Sequence, residues 1–265
     1  MVTFGRALAD AGWTDVRGFS DPTARSLLPP TWAARLDAMK ARRRGGRQQA
    51  ALKRIGNLMA LRTKAIDTCV QEAVVGGAHQ LVILGAGLDG RAFRMQGLEA
   101  VDVFEVDHPD TQATKRERAA GLTLKARSLQ FVAVDFERDV LAPALAAAGH
   151  RASDPSVWIW EGVVMYLRDE AVHATLAAIA TQSAPGSTLV IQYNTPERLN
   201  VCSRLLLRLL GEPQIGLRTP DRFAGELVAA GFRVVADSGS ADWGVRFGTP
   251  VARSATGRRM VIARR

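Results

Sequence analysis

Gln80-Leu81-Val82-Ile83-Leu84-Gly85-Ala86-Gly87-Leu88-Asp89-Gly90 decides how this chain folds. A continuous apolar strand stops at a turn with glycine at its first, third and sixth positions, the spacing that leads a buried strand into a helix across a nucleotide-cofactor site. The turn also carries an acid, Asp89, just where a pyrophosphate would lie. In dinucleotide folds the glycine turn and the first free N–H groups of the next helix bind pyrophosphate, assisted by the helix dipole. A carboxylate there repels phosphate. S-Adenosylmethionine uses a similar strand-turn-helix with no phosphate, and its methionine end carries an ammonium and a sulfonium that tolerate or welcome a nearby acid. Asp89 therefore favours a methyl donor. Glycine spacing alone is a weak signal in a chain with 24 glycines among 265 residues, so the rest of the sequence has to support it.

Outward from this turn, the length suits one α/β domain with an added cap. A hydrophobic fraction of 47% fills a large core, and charged residues at 23% match ordinary globular chains. No apolar run approaches the ~20 residues that span a bilayer, and the opening MVTFGRALADAGWTD has no apolar signal core, so the chain reads as cytoplasmic with no membrane partner. Cys69 and Cys202 stand far apart without metal-ligand spacing and read as buried free thiols. No metal is expected. Lysine plus arginine number 35 against 26 acids. Much of this excess sits in 40–47 and at the terminal arginines, without interleaved aromatics, which describes solvated basic faces better than a nucleic-acid surface. An acidic small substrate suits the charge equally well.

Helical spacing dominates the first 75 residues: Trp32, Leu36 and Met39 share one face, and Leu52, Ile55, Leu58, Met59, Leu61 and Ile66 recur at intervals of three and four. Residues 1–76 are expected to form an α-helical cap and 77–265 the core, in one compact unit. Strands are expected at 80–85, 100–106, 130–134, 157–161, 187–193, 232–236 and 259–263, with helices at 91–96, 111–120, 141–148, 169–182 and 221–230. Repeated βα order specifies a mostly parallel, seven-stranded sheet with helices on both faces. The stretch 238–257 reads as a loop, which permits antiparallel pairing at the sheet edge. An insertion at 195–220, rich in leucine, interrupts the alternation after the fifth strand. With the N-terminal helices it can roof the carboxyl ends of the strands, where doubly wound sheets bind ligands; alternatively it only thickens the core.

Each strand end supplies a candidate contact. The second strand ends in Asp107, about 20 residues past the turn, where a carboxylate can accept both ribose hydroxyl hydrogens. Glu105 lies on the same face and competes for that role. Asp135 and Phe136 after the third strand suit the adenine amine and ring, although Phe136 can equally be core. Glu161 follows four apolar residues, a costly place for a charge unless a cation pairs with it. The donor's ammonium is one such cation and a structural arginine the other. Arg62, sharing a helix face with Ile66, can clamp the donor's α-carboxylate or lie on the surface.

These residues fall into a familiar order. Arg62-Thr63-Lys64-Ala65-Ile66-Asp67, then 84–94 from Leu84-Gly85 to Phe93-Arg94, Phe104-Glu105-Val106-Asp107-His108-Pro109, Lys115-Arg116-Glu117-Arg118, Val134-Asp135-Phe136 and 160–167 from Trp160-Glu161 to Tyr166-Leu167 together resemble the leucine carboxyl methyltransferase-like family. The likeness covers roughly Ser20 to the C-terminus. Bacterial members include polyketide and other secondary-metabolite O-methyltransferases. The resemblance implies a class I, Rossmann-like methyltransferase fold and S-adenosylmethionine as cofactor. It implies Arg62 on the donor carboxylate, Gly85 and Gly87 at the turn, Asp107 on ribose, Asp135 and Phe136 beside adenine and Glu161 near the methionine moiety. One position departs from the family, which usually has threonine after the turn's aspartate where this chain has Gly90.

Methyl transfer from a sulfonium is an in-line displacement, so positioning does much of the catalysis. A carboxylate acceptor is already ionised at neutral pH, whereas a phenol or alcohol can need a base that the sequence does not name. The catalytic candidates are Tyr193, at the end of the fifth strand, and His173. Tyr193, Arg198 and Arg218 are substrate-side candidates, and Arg204 is a further insertion arginine that can attract an anion. The expected activity is S-adenosylmethionine-dependent O-methylation of a small-molecule carboxyl or hydroxyl group by a monomer or homodimer. Alternatives are a protein C-terminal carboxyl methyltransferase, a nicotinamide-dependent oxidoreductase and a nucleic-acid-associated cofactor-binding protein.

Overall fold

The computed structural model describes residues 2–41, 46–196, 214–249, 251 and 257–265. At its centre lies β1 (Gln80–Leu84), every residue of which is buried. It pairs in parallel with β2 (Asp102–Asp107) on one side and β4 (Ser156–Glu161) on the other. β3 (Ser128–Ala133) extends the sheet beyond β2, and β5 (Thr188–Asn194) extends it beyond β4, again in parallel. The full order is β3-β2-β1-β4-β5-β7-β6. β7 (Arg258–Arg264) runs antiparallel to both of its neighbours, β5 and β6 (Arg233–Gly239). All seven expected strands are present, and the antiparallel pairing that the sequence permits is realised by inserting β7 between β5 and β6.

Two layers of side chains cover the sheet, as strand alternation requires. Val82, Leu84, Trp158, Trp160, Ile191 and Tyr193 face α7 (Leu141–Ala147), α8 (Asp169–Thr181) and α9 (Pro220–Ala229). Leu81, Ile83, Val103, Ile159 and Val190 face the other way, against Leu61, Ile66 and Val70 of α4 (Arg47–Val75). The last helix of the expected cap is thus a covering layer of the sheet itself, and the 1–76 segment shares its core with the strands. Before it come α1 (Val2–Asp10), α2 (Pro22–Leu27) and α3 (Pro30–Ala41), which build a smaller cluster around Leu8, Trp13 and Leu36. α2 starts where Asp21 accepts from Ala24 N at 3.1 Å, with Pro22 supplying a helix-ready φ at the first turn. α6 (Pro109–Ala119) and α9 begin on the same device, through His108-Pro109 and Thr219-Pro220.

The structure corrects the sequence analysis at two helices. α5 (Arg91–Arg94) is only four residues, because Met95 is already extended. Within 238–257, expected as loop, Ser240–Arg246 forms α10. Asp242 accepts from Gly239 N at 2.7 Å to start that helix, and Trp243 buries its ring in the α4 face of the core. Residues 197–213, the bulk of the leucine-rich insertion, lie outside the described residues, as do Cys202, Arg198 and Arg204. Its return limb carries Gly216, whose N–H donates to the Met165 carbonyl at 3.0 Å. Cys69 is buried in the α4 layer, and burial pushes its thiol up to about 11. No helix among the described residues is long and apolar enough to cross a membrane.

Candidate functional site

The chain leaves β1 toward β2 in one direction and returns to β4 on the other side, so a crevice opens at the carboxyl ends of β1 and β4, the switch point of the topology. The glycine turn fills its floor. Gly85 (φ +63°) and Gly87 (φ +49°) both take left-handed backbone, and a Cβ on Gly85 would stand 2.2 Å from Val163 Cγ2. A cleft of about 160 Å³ lies there, walled by Gly85, Gly87 and Asp89, by Glu161 at the end of β4 and Val163 beyond it, and by Arg6 of α1.

Asp107 sits at the end of β2 against this turn. Its Oδ2 accepts from Gly87 N at 2.5 Å and its Oδ1 from His108 N at 2.7 Å. Glu105, the competitor, is fully buried and ion-paired with Lys115 of α6. Burial raises its carboxyl to about 7 despite that partner. Of the two acids, only Asp107 stands at the strand's end.

At the end of β4, Glu161 meets two arginines: Oε1 is 2.7 Å from Arg62 Nη2 and Oε2 is 3.2 Å from Arg91 Nη1. Arg62 also donates to Gln192 Oε1 at 3.3 Å. Burial would raise the Glu161 carboxyl, yet Arg62, Arg91 and Arg6 hold it below its ordinary value, so it stays ionised. Arg62 itself is lowered by burial. The structure therefore brings together Arg62 and Glu161, which the sequence analysis assigns to opposite ends of one zwitterion.

Asp89 is buried too, and not as a bare acid. Its Oδ1 accepts from Arg91 N at 2.7 Å, and its Oδ2 pairs with the Arg91 guanidinium and stands 3.8 Å from Arg6 Nη1. Against burial, Arg91, Arg6, Lys115 and Arg94 hold it far below the usual carboxylate range. This corrects the reason for disfavouring a diphosphate. Asp89 is electrically compensated by arginines, but it occupies the first N–H of α5, the group a pyrophosphate would need.

Asp135 shapes its own turn: Oδ1 accepts from Glu137 N at 3.0 Å, while its N–H donates to Asp139 Oδ2 at 2.8 Å. Phe136 packs half-buried against the core. The acceptor-side candidates lie elsewhere. Tyr193 is fully buried, its hydroxyl donating to Asp237 Oδ2 at 2.5 Å, and burial followed by Asp237 raises its pKa. It does not line the cleft. His173 is exposed on α8, 3.5 Å from Glu226, in a separate groove between α8 and α9. Arg218 is fully buried, bridging Glu226 at 2.7 Å and Asp169 at 3.0 Å, so it joins α8 to α9 and does not meet solvent.

Five residues of the charged network beside the cleft carry no role in the sequence analysis: Arg6, Asp21, Asp67, Arg91 and Arg94. Arg6 Nη2 donates to the Leu88 carbonyl at 2.6 Å and pins α1 over the turn. Arg91 is fully buried, with Nε 2.7 Å from Asp67, whose Oδ2 also lies 2.7 Å from Arg94 Nη1. The three-residue spacing of Arg91 and Arg94 puts both on one helix face, a signal that was available.

Comparison with known proteins bears on the family and the fold. The sequence profile of the leucine carboxyl methyltransferase family matches residues 1–180, reaching further toward the N-terminus than the likeness seen in the motifs and stopping before β5. A protein of Streptomyces coelicolor named as a candidate S-adenosyl-L-methionine-dependent methyltransferase is 42% identical over 136 residues, covering 49% of this chain and 46% of that protein. A protein of Mycolicibacterium gilvum with the same kind of name is 35% identical over 214 residues, covering 75% of this chain and 68% of its own length. The chain thus spans about half to two thirds of these relatives. Among solved structures, a DUF574 family protein from Streptomyces avermitilis superposes with a TM-score of 0.61 at 16% identity, covering 98% of this chain and 96% of that one, a likeness of fold.

Proposed function

The chain belongs to the leucine carboxyl methyltransferase family, and from that premise we propose that it is an S-adenosylmethionine-dependent methyltransferase acting on a carboxyl or hydroxyl oxygen of a small molecule, in secondary metabolism. The observation that carries this reading is the junction of turn and acid. Asp107 Oδ2 accepts from Gly87 N at 2.5 Å, so the carboxylate that ends β2 is fixed beside the glycine turn.

The residues fit such a donor chemically. Asp107 would accept from the ribose hydroxyls, and Asp135 with Phe136 would flank adenine. Arg62 and Glu161, buried at the neighbouring strand end and 2.7 Å apart, offer a guanidinium to a carboxylate and a carboxylate to an ammonium. When bound, the donor supplies an electrophilic methyl group on a sulfonium. The protein's part is to fix that group and exclude water, and α1 over the cleft with Arg6 contributes to the enclosure. A carboxylate acceptor needs no base from the chain, in keeping with a cleft whose ionisable lining among the described residues, Arg6, Asp89 and Glu161, is held in ion pairs. The capped N-terminus of α5 argues against a nicotinamide dinucleotide.

Titration calorimetry with S-adenosylhomocysteine and with NAD tests the cofactor: binding of the first alone supports the proposal, and binding of NAD alone overturns it. Transfer of labelled methyl from the donor to a panel of acids and phenols then tests the acceptor, and labelling at nitrogen or carbon only would refute O-methylation.

A further inference from the structure

The buried charges beside the glycine turn close into a ring. Arg6 meets Asp21 at 3.2 Å, Asp21 meets Arg94 at 3.4 Å, Arg94 meets Asp67 at 2.7 Å, and Asp67 meets Arg91 at 2.7 Å. Arg91 pairs with Asp89, and Asp89 returns to Arg6 at 3.8 Å. Three arginines and three aspartates alternate without a break. They come from α1, the N-cap of α2, α4, the glycine turn and α5. Five of the side chains are at most 6% exposed and Asp67 is 18% exposed.

The ring has a near side and a far side. Arg6 and Asp89 line the cleft, and Arg91 reaches on to Glu161 at 3.2 Å. Asp21, Arg94 and Asp67 do not line it. Each arginine on the near side has its charge divided between a group at the cleft and an aspartate behind it, so loss of a far-side partner leaves a buried guanidinium undercompensated and free to pull on the near-side acids. Asp89 is where this matters most, since it fixes the backbone of the turn through Arg91 N at 2.7 Å.

Resting on the methyl-donor reading above, we propose that Asp21 and Arg94 are positioning residues for the donor site. They act through the ring to hold Asp89 and Arg91, and through Arg91 the carboxylate of Glu161, in the arrangement that the donor's methionine end meets. α1 and α2 are in this way part of the donor site without supplying most of its contacts.

The test compares Asp21→Asn, Arg94→Met, Arg94→Lys and the double variant Asp21→Asn/Arg94→Met with the unmodified chain. Calorimetry with S-adenosylhomocysteine is run well below each protein's melting temperature, alongside amide hydrogen exchange at 85–91 in the free proteins. Expected are an affinity loss of about tenfold for Asp21→Asn and for Arg94→Met, a smaller loss for Arg94→Lys, which keeps the charge, and faster exchange at the turn. The double variant is expected to lose no more than Arg94→Met, because both changes cut the ring at one junction. A purely structural role would lower the melting temperature with affinity and turn exchange unchanged, and that result overturns the proposal, as does a double variant whose losses multiply. If the unmodified chain binds no S-adenosylhomocysteine, the donor reading fails by itself; exchange at 85–91 then decides the ring, with unchanged rates refuting it. Should Arg94→Met not fold, Asp21→Asn and Arg94→Lys carry the same comparison.

Discussion

Gly90→Ala is a one-methyl change whose cost the structure fixes closely. Gly90 has φ −113°, so alanine meets no backbone strain there. The new Cβ would stand 1.9 Å from Thr23 Oγ1, 3.0 Å from Thr23 Cβ and 3.5 Å from Leu27 Cδ1. Thr23 is 5% exposed, and its hydroxyl donates to Asp21 Oδ1 at 2.7 Å, so it cannot swing aside without breaking a buried bond. Restoring ordinary contact requires α2 to retreat by about 1.5 Å. Overpacking of this kind costs ~1–3 kcal/mol and the lost hydrogen bond ~1 kcal/mol, so the expected destabilisation is about 3 kcal/mol. At ~2–4 °C per kcal/mol for a chain of this size, the melting temperature falls by about 6–12 °C. Thr23→Ala alone should cost ~1 kcal/mol, and it removes the closest overlap, so Gly90→Ala/Thr23→Ala should cost about 2 kcal/mol, well short of the sum. Urea melts of the four proteins form the double-mutant cycle. Additivity within ~0.5 kcal/mol would sink the explanation. The threonine usual in the family at this position would overlap α2 further, and Gly90→Thr should be worse than alanine. The departure noted in the sequence thus has a physical reason: Thr23 already fills that space.

Other outcomes follow from the site. Asp107→Asn should weaken S-adenosylhomocysteine binding by about 10–100-fold in calorimetry, the loss of charge-assisted hydrogen bonds, with little change in melting temperature; unchanged affinity would remove Asp107 from the ribose. Glu105, raised from 4.5 to about 7, keeps a proton in the folded chain that the unfolded chain has released, so its stabilising contribution is complete at low pH and lost as pH rises through 7. Glu105→Gln should therefore gain stability relative to the unmodified chain between pH 5 and 8, by at most about 3 kcal/mol from a shift of about 2.5 units, and a difference flat with pH refutes this. Tyr193→Phe, which deletes the hydroxyl held by Asp237, should cost ~1–2 kcal/mol of stability and leave kcat alone. A kcat drop beyond about tenfold, ~1.4 kcal/mol of barrier, would return Tyr193 to the chemistry.

The central strands β1, β4 and β5 were legible because each is a short run, mostly apolar and buried on both sheet faces, which leaves little room for another pattern. α10 was not. Its seven residues carry one large buried side chain, Trp243, and its start depends on Asp242 reaching back to Gly239, neither of which makes a helical period. Among the candidate residues, Asp107, Glu161 and Arg62 stand where strand ends and a helix face put them. The burial of Tyr193 against Asp237 and of Arg218 between Asp169 and Glu226 was not legible, because position along the chain does not tell which sheet face a strand-end residue takes or what crosses above it. The arginine–aspartate ring was hidden because Arg6, Asp21, Asp67 and Arg94 lie up to 88 residues apart (94 − 6), and only the docking of α1 and α2 onto the turn makes them neighbours.

Among the described strands, β7 sits inside the sheet although it comes last in sequence, and β6 is bonded to β7 alone. During synthesis on the ribosome, the parallel block from β3 to β5 can assemble first, but β5 then presents a bare, apolar margin and β6 has nothing to join. Both wait for Arg258–Arg264 to emerge. A nascent chain stalled just short of that point would hold two unsatisfied strand edges at once, the state in which chaperone capture or self-association competes hardest with completion of the fold.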